Sequence, residues 1–225
     1  MVRPAVVVFD VNETLTDMSP LRGRLEEVGA PGVAFDAWFA ATLRDGFAVT
    51  AAGGYAEFGD IARHVLVSLL TAVPDGPADP VQATDHVLAG LPELDVHPDV
   101  ADGLRRLHGG GLRLVTLTNG ATALSDGALG RAGVVDLFEA RYSVSEAGRW
   151  KPAAEAYAWA AGVVDEPAGR LALVAVHPWD VDGAGRAGLV GAWLNRAGAT
   201  YPTYFRPPAV TAGSLPELAD RLLAS

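Results

Sequence analysis

The stretch Ala5-Val6-Val7-Val8-Phe9-Asp10-Val11-Asn12-Glu13-Thr14 joins an unbroken apolar run to a polar turn. A strand with one wet face alternates apolar and polar residues, so a continuous run predicts a strand covered on both faces, as in a parallel sheet. Working outward, similar runs recur at Leu112–Thr118, Arg141–Ser145, Leu171–Val176 and Leu189–Leu194. Helical patterns separate them at Pro98 to His108, Ala121 to Ala132 and Pro152 to Ala161. This alternation predicts an α/β chain with a doubly wound parallel sheet.

From about Ser19 to Asp95 the alternation stops and only helical signals remain. Ser19-Pro20 reads as an N-cap with proline at the first helical position, and Ala34 to Thr50 and Asp60 to Ala72 read as further helices. Pro74-Asp75-Gly76-Pro77 marks a loop before a last short helix over Pro80 to Ala89. The segment is expected to be an insertion after the first strand, over 16–95, leaving 1–15 and 96–225 as the sheet-bearing core. Ser214-Leu215-Pro216 predicts the cap of a C-terminal helix.

With 225 residues, half of them hydrophobic, the chain can bury a substantial core. Its 17 basic and 27 acidic residues give a formal charge of −10, which repels nucleic acid and anionic membrane surfaces. A small anionic substrate stays compatible, because a local basic pocket can oppose the global field. The absence of cysteine removes a disulfide framework and Cys-based metal sites, and suits a reducing cytosol. The apolar run Ala5–Phe9 between Arg3 and Asp10 is far shorter than a membrane span, so the expectation is a soluble, cytoplasmic protein without membrane partners.

In an open parallel sheet, ligands bind in the crevice at the carboxyl ends of the strands. The polar residues there are Asp10-Val11-Asn12-Glu13-Thr14, Thr118-Asn119-Gly120, Lys151-Pro152 and His177-Pro178-Trp179-Asp180. Taken alone, each has an ordinary reading: Asn119-Gly120 is common turn chemistry, and an isolated Asp after a strand is often a turn former. The ordered set, however, resembles the four motifs of the haloacid dehalogenase superfamily across nearly the whole chain. In detail it looks like the type II 2-haloacid dehalogenases, through Lys151-Pro152 with Tyr157, Trp179-Asp180 with Gly183-Ala184, and Trp193 with Asn195-Arg196. The resemblance implies a Rossmann-like sheet with a helical cap, hydrolysis of short 2-haloalkanoic acids, and a homodimer as an assembly frequent among relatives.

Physical roles follow for these residues. A carboxylate at a strand terminus is rigid and exposed to ligand, so Asp10 is the candidate nucleophile. A lysine at about 4 Å would keep it ionised with on the order of 4 kcal/mol at an effective dielectric near 20, before desolvation; Lys151 is the candidate. An Asp10 ester must be cleaved by water, which requires a second carboxylate as base; Asp180 fits, with Tyr157 and His177 as helpers. Thr14 and Thr118 are expected to donate to Asp10 or to a substrate carboxylate, and the Asn119 amide to a departing halide. The scheme needs no cofactor and no metal.

Asn12 separates reaction types, since superfamily phosphatases carry there an acid that protonates the leaving group, and an amide cannot. The alternative readings are a Mg²⁺-dependent phosphatase, with Asp180 or Asp182 on the metal, and a catalytically silent protein that binds small acids. The chain also departs from the dehalogenase pattern. It has Asn12 where relatives carry Tyr, His177 where they carry Asn, and Phe39 after Trp38 where they carry a halide-gripping Arg. Arg44 lies five positions on, roughly 140° beyond a full helical turn, and so off the face of Phe39. Phe58 matches a family aromatic that lines the halide site, and Phe39, Phe58 and Trp179 are expected to contact substrate. His64, His86, His97 and His108 show no metal-ligand spacing.

Overall fold

In the computed structural model, which describes residues 3–225, Val6–Phe9 forms strand β1 with every side chain fully buried. Val6 and Val8 join one core cluster, and Val7 and Phe9 join another. Both faces of the strand are therefore apolar, and each needs a covering layer of helices. The other strands are β2 (Arg113–Thr118), β3 (Ala140–Ser143), β4 (Leu171–Ala175), β5 (Val190–Leu194) and β6 (Val210–Ala212). All pair in parallel in the order β3-β2-β1-β4-β5-β6. The expected α/β class is borne out, with one strand more than the sequence predicts. Strand β6 has three residues, lies at the edge and follows Pro207-Pro208, too little pattern for a periodicity reading.

Helices α5 (Val100–Gly109), α6 (Thr122–Arg131) and α9 (Leu215–Leu223) carry Leu104, Leu129 and Leu218 against the face of Val7 and Phe9. Ser214 caps α9 as expected, its hydroxyl accepting from the Glu217 N–H at 3.4 Å. Helices α7 (Ala154–Val163) and α8 (Pro178–Arg186) carry Tyr157, Val181 and Ala184 against the other face. Helix α8 was not among the predicted helices, because Gly183 and Gly185 thin out its apolar stripe.

Between β1 and β2 lie α1 (Pro20–Glu27), which starts at the expected proline, and α2 (Ala34–Ala51), α3 (Phe58–Ala72) and α4 (Pro80–Leu88), each within two residues of its predicted span. One expectation is corrected. Ser19 makes no side-chain cap; its N–H instead donates to Asp17 Oδ1 at 2.9 Å, so the turn preceding α1 is built by Asp17. Asp79 caps α4, accepting from the N–H groups of Val81 and Gln82 at 3.0 Å.

Trp150 fastens this helical insertion to the loop that carries Lys151. Its indole N–H donates to Ala56 O at 2.9 Å, and its ring stacks on Phe58 with centroids 5.7 Å apart. Gly46 of α2 permits the approach, because a Cβ there would fall 2.2 Å from Trp150 Cζ3. We expect Gly46→Ala to lose about 1–3 kcal/mol of stability by overpacking. Unchanged denaturant midpoints would mean that this ring yields freely.

Candidate active site

Strand β1 stands next to β4 at the point where the strand order reverses, with β2 and β3 to one side and β5 and β6 to the other. In such sheets this position opens a crevice at the carboxyl ends. Asp10 follows β1 there, and His177 follows β4.

Three charged side chains meet below the crevice with almost no solvent. Lys151 Nζ lies 2.9 Å from Asp10 Oδ1 and 2.6 Å from Asp180 Oδ2, with the lysine and Asp180 side chains fully buried and Asp10 only 6 % exposed. The other Asp10 oxygen, Oδ2, accepts from the Thr14 hydroxyl at 2.7 Å, and that hydroxyl accepts in turn from the Val176 N–H at 3.1 Å. Tyr157 donates to Asp180 Oδ1 at 2.6 Å. Gly183 leaves room for this contact, since a Cβ there would stand 2.7 Å from the Tyr157 hydroxyl.

One cation shared by two buried carboxylates drives their acidities apart. Burial alone raises the Asp10 pKa, but the Lys151 charge, His177 and the bonds from Lys151 and Thr14 outweigh it and hold the carboxyl below its ordinary range. For Asp180, burial prevails over Lys151, and repulsion from Asp10 adds to it, so its pKa is raised. Lys151 is desolvated, yet the two carboxylates keep its pKa above the usual lysine value. Burial and the neighbouring Asp180 push Tyr157 well up, so it stays a phenol and a donor.

The remaining candidates fall into two groups. His177, Trp179, Phe39 and Phe58 form an aromatic roof. His177 stacks on Trp179 at 5.2 Å and lies 5.9 Å from Phe39, which is 6.4 Å from Phe58; Phe47 meets Trp179 at 5.0 Å. His177 Nε2 is 3.2 Å from Asn12 O and 3.6 Å from Asp10 Oδ2. Thr118 and Asn119 build the floor instead. The Thr118 hydroxyl accepts from the Gly120 N–H at 3.0 Å rather than reaching Asp10, which corrects that part of the expectation. Asn119 exchanges two hydrogen bonds with the Lys151 backbone, Nδ2 to O at 3.1 Å and Lys151 N to Oδ1 at 3.0 Å, leaving one amide hydrogen for a ligand. The amide thus sets the position of Lys151 as well.

Arg44 pairs with Asp45 on the surface, off the Phe39 face as the helical spacing requires, and the Trp38 indole is committed to Ala62 O at 2.8 Å. Asp182 faces away from Asp10, accepting from Arg186 Nε at 2.7 Å and from the Arg206 N–H at 2.9 Å. A Mg²⁺ ion does not suit this donor set, because an ammonium already stands between the two carboxylates and the third is engaged elsewhere. Glu13, which the sequence reading left without a role, is 3.7 Å from His177 Nε2. Its signal was only its place inside the Asp10–Thr14 turn.

A buried Asp–Lys–Asp cluster stands at the switch point of a parallel sheet, under a helical insertion, where α/β folds of this kind bind their ligands. Residues 4–188 match the haloacid dehalogenase-like hydrolase family, and the chain belongs to it. It is similar to (S)-2-haloacid dehalogenase 4A of Burkholderia cepacia, 26% identical over 213 residues, 94% of this chain and 91% of that one. A solved dehalogenase with an intermediate complex is 25% identical, with a TM-score of 0.89 over 99% of both chains. A solved L-2-haloacid dehalogenase, 26% identical, has a TM-score of 0.90 over 98% of this chain and 99% of its own.

Proposed function

We propose that the chain is a 2-haloacid dehalogenase that hydrolyses short 2-haloalkanoic acids through an ester of Asp10, without metal or cofactor. The observation that carries this reading is the Lys151 ammonium, buried between Asp10 and Asp180. It keeps the first carboxylate ionised and ready to attack, while the second, with its raised pKa, is suited to take a proton. The (S)-2-haloacid dehalogenase named above supports the substrate class and the (S) configuration. We further propose that 16–95 acts as the cap and that 1–15 with 96–225 is the catalytic core.

An Asp10 oxygen attacks C2 from the side opposite the halogen, forming the C–O bond as the carbon–halogen pair leaves as halide. A halide is a very weak base and needs no acid, so Asn12 costs nothing. The ring edges of Phe39, Phe58 and Trp179 carry partial positive charge, and with the free Asn119 hydrogen they give the departing anion weak but dry partners. Asp180 then removes a proton from water, whose oxygen adds to the Asp10 carbonyl carbon. Collapse expels the alkoxide, which takes the proton left on the Asp10 carboxyl, and one proton per turnover leaves by way of Asp180. Lys151 compensates the charge that shifts between the two carboxylates, and Tyr157 holds Asp180 in place.

Because C2 is attacked once and untouched afterwards, (S)-2-chloropropionate should give (R)-lactate. Halide release that persists in EDTA, with inverted product, is the expected outcome. Phosphate release from small esters that stops in EDTA, with no halide from haloacids, would replace this reading by the phosphatase one.

A further inference from the structure

Glu13 stands where a glycine would be at ease. Its φ of 62° lies in the left-handed region, which strains any residue with a Cβ. His97 fixes the peptide there, its Nε2 donating to Glu13 O at 2.9 Å. The side chain is in poor surroundings for an acid. Burial pushes its pKa up; His177 opposes this, and the nearby Asp10 adds to it. On its outer side Glu13 borders a cavity of about 320 Å³, walled by Met18, Phe35 and Trp193 together with polar residues such as Asn195 and Arg196. Arg22 also borders that cavity, but is committed to Asp36 through two bonds of 2.6 and 2.9 Å. Among the described residues, the basic side chain within 4 Å of the Glu13 carboxylate is His177, whose Nε2 is 3.7 Å from its Oε2.

That same ring nitrogen is 3.2 Å from Asn12 O and 3.6 Å from Asp10 Oδ2. Its N–H therefore faces three oxygens of one turn, two of them carboxylate. We infer that Glu13 is a positioning residue, which holds the His177 ring over Asp10 Oδ2, the oxygen that Lys151 does not bind. Stacking on Trp179 and contact with Phe39 fix the plane of the ring, but stacked rings slide at little cost. The Asn12 carbonyl at 3.2 Å takes the N–H, and the Glu13 carboxylate at 3.7 Å adds the charge that holds this edge of the ring toward the turn and limits the sliding. Strain and like-charge repulsion are tolerated at this position because the reacting carboxylate gains a fixed N–H edge 3.6 Å from its Oδ2.

The inference deepens the dehalogenase reading, and half of its test is independent of turnover. Glu13→Gly relieves the backbone strain, so its melting temperature should equal or exceed that of the wild type, which excludes misfolding as the cause of any loss. With (S)-2-chloropropionate we expect kcat to fall about tenfold while KM stays within about threefold. His177→Asn should lose a similar factor, and the double variant should be no slower than His177→Asn alone, because two residues acting through one contact do not add. In the imidazole ¹⁵N–¹H spectrum, Glu13→Gly should shift the His177 signals, identified by their loss in His177→Asn. Unshifted His177 signals, an unchanged kcat, or losses that multiply in the double variant would each overturn the inference. A wild-type protein that releases no halide would instead overturn the dehalogenase reading, and the spectrum alone would then decide whether Glu13 holds the ring.

Discussion

Asp10→Asn is expected to fold and to release no halide, not even one equivalent per active site. The amide keeps one acceptor, for Lys151, and turns its NH2 toward the Thr14 hydroxyl, which has a lone pair to accept it, while the ammonium keeps Asp180 at 2.6 Å as its counter-ion, so the buried cluster survives with a modest loss of stability. What disappears is the negative oxygen that attacks C2, and turnover should fall by at least about 10⁴-fold. Asp180→Asn makes the informative contrast. The nucleophile remains, so one equivalent of halide should appear and the ester should then accumulate, because its hydrolysis lacks a base. A rapid chemical quench, with halide and protein mass measured together, separates the two variants. Repeated turnover by Asp10→Asn would remove this residue from the mechanism.

Lys151→Met should produce the largest loss of stability, about 3–5 kcal/mol near neutral pH, because it leaves two buried carboxylates without a cation. The pH dependence has a definite sign. In the wild type the ammonium lowers both carboxyl pKa values; in its absence burial, the largest influence on each, acts upward, joined at Asp180 by repulsion from Asp10 and opposed only by His177 and Thr14 at Asp10 and by Tyr157 at Asp180. A group whose folded-state pKa is raised costs nothing below its unfolded value, about 4 for an aspartate, and destabilises as pH rises through and beyond it. The difference in melting temperature between variant and wild type should therefore be small near pH 4 and large near pH 7.5. A difference that is constant with pH would mean that methionine packing, and not the lost charge, sets the cost.

The parts of this fold that were legible in the sequence are those whose cause is local. Val6 to Phe9, Leu171 to Ala175 and Val190 to Leu194 are continuous apolar runs because both sheet faces are covered, and such runs carry their own signature. Strand β6 pairs with β5 at an edge, and its three residues acquire meaning only from that neighbour. Helix α8 was obscured by Gly183, whose smallness serves Tyr157 and not the helix.

The site divides in the same way. Asp10, Lys151 and Asp180 were readable as strand-end motifs, but nothing in their spacing says that a single ammonium bridges both carboxylates. The sequence suggested an Asn119 amide turned to the halide and a Thr118 hydroxyl on Asp10 or a substrate carboxylate; folding commits one hydrogen and the oxygen of the amide to the Lys151 backbone and makes the hydroxyl an acceptor in the Gly120 turn. Glu13 went unread because a left-handed φ is inferred from Gly or Asn, and a glutamate there leaves no trace until the backbone is known.

The central claim is that water attacks the Asp10 carbonyl of an ester and never C2 of the substrate. A single turnover in H₂¹⁸O, with enzyme in excess over (S)-2-chloropropionate, tests it directly by mass spectrometry of the peptide bearing Asp10 and of the lactate. The account predicts ¹⁸O in Asp10 and unlabelled lactate from that first turnover. Labelled lactate with an unlabelled Asp10 would contradict it.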